Sequence, residues 1–134
     1  MRLAPLLTTL SLALASCSQQ DAGPQAAIAG TWLFAKDMPD GGQMQSTTRV
    51  AANGHYVSHL QTLSSNRISR MVTFEGIFEV KDGCLIDTIT KDSQTNAAPV
   101  PRTDRARIIR MDDREMVVRY QGKDEEVVFR KQKR

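Results

Sequence analysis

The sequence predicts an all-β domain: an antiparallel meander of about eight strands joined by short turns. Three observations carry that reading. From Gly30 onward, apolar residues recur with a period of two, as they do when alternate side chains of a strand face a core. Turn-forming pairs punctuate the chain at the spacing of a meander: Asn53-Gly54, Asp82-Gly83, Asp112-Asp113 and Gly122-Lys123. The segments between them contain many β-branched and aromatic residues, which fit a pleated, half-buried surface.

The elements follow in order. Thr31 to Ala35 is a short first strand, and Pro39-Asp40-Gly41-Gly42 turns the chain. Gln43 to Ala51 is the second strand. Asn53-Gly54 then predicts a two-residue hairpin, because both residue types tolerate positive φ. His55 to Leu63 is the third, broken by Ser64-Ser65-Asn66. Val72 to Lys81 is the clearest strand; Phe74, Gly76, Phe78 and Val80 share one face, and Glu75 and Glu79 take the other. Arg67 to Met71 either extends this strand or forms a loop. Cys84 to Lys91 is the fifth strand, and Asp92 to Pro101 is a polar loop. Thr103 to Met111, Arg114 to Gln121 and Asp124 to Lys131 complete the set. At about eight strands an antiparallel meander can close on itself and remove its exposed edges. A β-sandwich is the competing architecture.

The strand faces also suggest an interior. Met116, Val118 and Tyr120 share a face, as do Val127 and Phe129. If Ser46 and Thr48 point inward with Met44 and Val50, and Tyr56 and Ser58 with Leu60 and Thr62, the interior mixes apolar walls with hydroxyls. Unpaired buried hydroxyls are costly, so such a lining implies water or a semi-polar ligand. Ser46, Thr48, Tyr56, Ser58, Phe78 and Tyr120 are the candidate pocket residues. A fully packed core, with some of these strands facing outward, is the alternative.

The first sixteen residues differ from the rest. After Arg2, the stretch from Leu3 to Ala15 carries no charge and has the length of a signal-peptide core, too short to span a membrane. It ends in Leu14-Ala15-Ser16-Cys17. That ending resembles the lipobox of bacterial lipoproteins. The resemblance implies that residues 1–16 are a leader cut before Cys17, and that Cys17 carries acyl chains such as palmitate. It further implies an anchor in the cell envelope, with Ser18 favouring the outer membrane. Residues 17–27, small and polar with Gly23 and Pro24, read as the lipidated cysteine and a flexible tether. Residues 28–134 then suit one domain.

Composition narrows the function classes. A net charge of +3 over 134 residues is a weak bias, and the cluster Arg130, Lys131, Lys133 and Arg134 reads as a solvated terminus. No stripe of interleaved aromatic and basic residues supports nucleic-acid binding. With Cys17 lipidated, Cys84 has no partner in the chain, so a disulfide framework is excluded.

Gly30-Thr31-Trp32 opens the first strand. A Gly-x-Trp at this place resembles the signature of lipocalins and small bacterial lipocalin-like domains. Asn53-Gly54, Glu75-Gly76-Ile77-Phe78 before Asp82-Gly83, and Leu85 to Thr90 look like such domains in order and spacing. The resemblance spans roughly residues 30–131 and implies a small up-and-down barrel. It implies too that Trp32 packs across the closed end beneath an Arg from the far end of the chain. Arg130 is the first candidate and Arg119 the second. The domain is shorter than a typical lipocalin, and the second lipocalin motif is not visible.

No catalytic or cofactor constellation appears. There is no phosphate-binding glycine loop, no Gly-x-Ser-x-Gly and no His-Glu-x-x-His. On one strand His55 and His59 would lie about 13–14 Å apart, too far to share a metal ion. The expectation is therefore a monomeric, non-enzymatic, envelope-anchored binding or interaction module, without cofactor, for a small amphipathic ligand or an envelope protein. A small barrel hydrolase or isomerase is the alternative, and would need side chains such as His55, Asp87, Asp112 and Tyr120 to converge. A structural or assembly role in the envelope is the third reading.

Overall fold

The structure, a computed structural model, describes residues 24–133. The leader, Cys17 and the first part of the tether lie outside the described residues. The described chain is a helical turn, α1 (Pro24–Ala27), followed by eight strands: β1 (Gly30–Asp37), β2 (Gln43–Val50), β3 (His55–Ser64), β4 (Arg67–Lys81), β5 (Cys84–Asp92), β6 (Arg102–Met111), β7 (Glu115–Tyr120) and β8 (Glu126–Lys131). Each strand pairs antiparallel with the next, and β8 returns to β1, so the meander is a closed barrel. Closure settles the choice against a sandwich. Its seam is short: Trp32 pairs with Lys131 and Leu33 with Arg130.

Local chemistry explains the turns. Ser65 and Asn66 both take positive φ, as do Asp82 and Gly83, which makes each pair the tight corner of a two-residue hairpin. Asn53-Gly54 behaves differently from the expectation. Only Gly54 has positive φ, at +89°, and the connection is the four residues between Val50 and His55. The Asn53 side chain instead accepts a hydrogen bond from the His55 amide, an Asx-type brace that replaces a left-handed Asn. β4 starts at Arg67, so the ambiguous segment before Val72 is strand. It pairs with β3 on one side, and β5 joins β4 only from Phe74 onward.

Inside the barrel the two halves differ. The half next to α1 is filled by Ile28, Trp32, Val50, Leu85, Ala106, Met116 and Val118, all nearly inaccessible to water. Each large apolar side chain buried there contributes about 1.5–3 kcal/mol. The tether was expected to run flexibly to Ala27. Its last four residues instead form the helical turn, docked by Gln25, whose amide donates to the Phe78 carbonyl and accepts from the Val80 amide. A polar side chain that satisfies two backbone groups of β4 can hold a segment that has little apolar surface to bury.

The Trp32 indole closes this end and donates to the Ile28 carbonyl at 2.8 Å. The cation above it is Lys131, with Nζ 5.3 Å from the ring centroid. Neither arginine candidate takes this place. Strand alternation is the reason: Lys131 is the register partner of Trp32 and shares its face, so its neighbour Arg130 points outward. Arg119 is also outside, paired with Glu126. Gly30 has φ of +130°, and a Cβ there would meet Lys131 Cε at 2.7 Å, so the glycine makes room for the lysine.

Candidate functional site

The half of the barrel away from α1 is hollow. A cavity of about 250 Å³, open to solvent, lies between β1–β5, β7 and β8. Ser46, Thr48, Tyr56, Ser58, Phe78 and Tyr120 all line it, because even alternation along β2, β3, β4 and β7 sends them to one face. Phe34, Phe74 and Phe129 join them, so every phenylalanine and tyrosine of the chain borders this space. Tyr56 stacks on Phe78 with ring centroids 4.0 Å apart. Gly76 permits that stack: a Cβ there would meet the Tyr56 ring at 2.8 Å and would collide with the Thr88 carbonyl. The hydroxyls are not idle. Thr48 and Ser58, opposite each other on β2 and β3, join through their oxygens at 2.8 Å and so satisfy one another in the wall.

One charged side chain lines the cavity, Asp87. It lies between Leu85 and Ile89 on the inward face of β5, and the Tyr56 hydroxyl donates to its Oδ1 at 2.6 Å. Burial pushes its carboxyl up to about 6. The hydrogen bond from Tyr56 works against this, the Asp104 carboxylate adds to it, and the Arg102 guanidinium opposes it. The phenols respond in the same sense. Burial and the neighbouring carboxylates of Asp87 and Asp104 push Tyr120 up to about 12. Burial, followed by the bond to Asp87, raises Tyr56 further above its ordinary range. Both phenols therefore stay protonated at neutral pH, and Tyr56 donates to Asp87.

Asp87 stood in the sequence only among the side chains that an enzyme would have to gather. The signal that it faces inward was present in its alternation with Leu85 and Ile89. The four side chains of that alternative do not come together. Asp87 and Tyr120 line the cavity, whereas His55 is exposed beside the Ala51–His55 turn. Asp112 caps the β6–β7 turn, accepting from the amides of Arg114 and Glu115. His59 faces outward and meets Thr73. Cys84 is a free, half-buried thiol at the start of β5.

Just beyond the cavity, Arg102 binds the Asp92 carboxylate and the Ala98 carbonyl. Burial of Asp92 resists its ionisation, but Arg102 and Gln94 more than offset that and hold its carboxyl below the usual range. This joins the ends of β5 and β6 across the polar loop and commits the nearest cation to a structural partner.

A closed eight-stranded meander with a tryptophan-sealed end and an open, aromatic-lined cavity defines a lipocalin-like barrel. No protein-family model matches the chain, and no curated protein matches it in sequence. Among solved structures it is similar to a lipocalin-like protein from Bacteroides uniformis, with a TM-score of 0.53 and 16% identity over 79% of this chain and 99% of that one. At that identity the likeness is one of fold.

Proposed function

We propose that this protein is a monomeric, lipid-anchored component of the bacterial cell envelope whose barrel binds a small amphipathic ligand without transforming it. The observation that carries the binding reading is the cavity. About 250 Å³ is slightly smaller than the ~300–1,000 Å³ typical of small-molecule sites, which suits a small ligand, and the cavity combines apolar walls with a few placed polar groups. The Phe side chains supply apolar surface, and Asp87, Tyr56 and Tyr120 supply orientation.

The anchor rests on the leader and on Leu14-Ala15-Ser16-Cys17, with Ser18 favouring the outer membrane. Two or three acyl chains on one residue give stable attachment where a single chain is only marginal. The described residues contain no helix long and apolar enough to cross a membrane.

Native mass spectrometry of the protein, purified from its own cells without denaturation, tests the binding reading. The expected result is a co-purifying mass that leaves on unfolding and is lost when the cavity is filled by Ser58→Phe. A protein that carries no added mass and takes up no small amphiphile in titration overturns it.

A further inference from the structure

The chemistry of the cavity narrows the ligand class. The cavity lining holds one carboxyl group, Asp87, and no lysine, arginine or histidine; Asp104, the register partner of Asp87 on β6, adds a second, exposed carboxylate on the same face. Tyr56 occupies Oδ1 of Asp87, while Oδ2 receives no hydrogen bond from the described residues. Asp87 therefore presents an open acceptor toward the space. The charged and titratable groups around it are Tyr56 from β3, Tyr120 from β7, and Asp104 and Arg102 from β6. β4 contributes only Phe78 as its register partner. Of these, Arg102 is the single cation, and it is spent on Asp92 and Ala98. A carboxylate in a half-enclosed, low-dielectric space without its own counter-ion favours a ligand that brings one.

The walls point the same way. Phe34, Phe74, Phe78, Phe129, Tyr56 and Tyr120 surround the space, and aromatic faces attract cations within about 6 Å of the ring centroid. They repel anions by the same quadrupole. No lysine, arginine or histidine in the lining offers a counter-charge to an acidic headgroup, such as the carboxylate of a fatty acid.

We infer that the barrel selects a small amphipathic cation, a protonated amine or quaternary ammonium. Its charged head sits on Asp87 and the phenol oxygens, and its apolar body lies against the phenylalanines. The inference rests on the cavity being a ligand site, and it names the class of ligand that the site takes. Ionised Asp87 is the binding form, so affinity for a permanently charged amine falls as acid protonates this carboxyl near pH 6. A charge-assisted hydrogen bond is worth about 1.5–3 kcal/mol, which is a preference of roughly 10- to 100-fold.

Benzylamine, benzyl alcohol and benzoate share one shape and differ in charge, and calorimetric titration of the purified full chain with each tests the inference. Benzylammonium is expected to bind at least ~10-fold more tightly than benzoate at about pH 7.5, to lose that advantage near pH 5, and to lose it in Asp87→Asn. Equal or tighter binding of benzoate or benzyl alcohol by the wild-type chain overturns the cation inference and leaves the cavity reading standing. Binding of none of the three, together with no co-purifying mass, overturns both. The comparison among the three probes needs no variant, so it decides the matter even where Asp87→Asn folds poorly.

Discussion

The Tyr56 hydroxyl donates to Asp87 at 2.6 Å inside a barrel half otherwise lined by aromatic and aliphatic side chains and small hydroxyls. This pair spans the cavity wall across β4, from β3 to β5, and it concentrates the polarity of the interior on one side. Its energetic consequence is a cost of ionisation. The carboxyl is pushed from 3.8 to about 6 by burial, so the folded state prefers its protonated form. That penalty is absent below about pH 4, develops as pH rises through 6, and is complete at neutral pH, where it amounts to no more than about 3 kcal/mol. Asp87→Asn, which keeps the shape and an acceptor for Tyr56, is expected to match the wild type in stability near pH 4. It should exceed the wild type by about 1–2 kcal/mol near pH 7.5. Urea unfolding at the two pH values checks this; an unchanged difference between them would falsify it.

The closed end offers a sharper comparison between neighbouring residues. Lys131 covers Trp32 and its Nζ also donates to the Ala27 carbonyl at 3.2 Å, whereas Arg130 is exposed. Lys131→Ala is expected to cost about 0.5–1.5 kcal/mol through the lost cation–π contact and stem packing. Arg130→Ala should stay within about 0.5 kcal/mol of the wild type. The prediction fails if chemical unfolding ranks the two variants in the opposite order.

Gly76 and Gly83 separate two uses of glycine. Gly76 has ordinary φ but no room, since a Cβ would strike the Thr88 carbonyl and the Tyr56 ring. Gly83 has open space but a φ of +73°. Gly76→Ala is expected to cost about 2–3 kcal/mol, typical of overpacking, and to disturb the Tyr56–Phe78 stack. Gly83→Ala should cost about 1 kcal/mol through backbone strain alone. Near-ultraviolet circular dichroism distinguishes them: only the first should change the tyrosine signal.

The helical turn before β1 makes a fourth case. Gln25 satisfies two backbone groups of β4, so Gln25→Ala should cost about 1–2 kcal/mol and release the segment ahead of Ile28. Hydrogen exchange at the Val80 amide is the measurement, and protection equal to the wild type would show that the contact contributes nothing.

Lipidation is a separate and simple test. Cells given labelled palmitate should incorporate it into the wild-type chain and not into Cys17→Ser. Label retained in the variant would remove the basis for the anchor.

The sequence by itself determined the strand order, most of the turns and the inward face. Alternation is local: once Phe78 faces in, so does every second residue, and Ser46, Thr48, Tyr56, Ser58 and Tyr120 could be assigned to one interior without coordinates. Asp87 was equally legible by alternation with Leu85 and Ile89, although its chemistry was not. Only the tertiary structure decided that Lys131 and not Arg130 covers Trp32, because that depends on how β8 registers against β1, strands at opposite ends of the chain. Tertiary structure also decided that Gln25 would reach β4, and that one half of the barrel would pack while the other stayed hollow. Each of these rests on contacts between residues far apart in sequence or on the volume left between closed walls. Periodicity along a single strand carries information about neither.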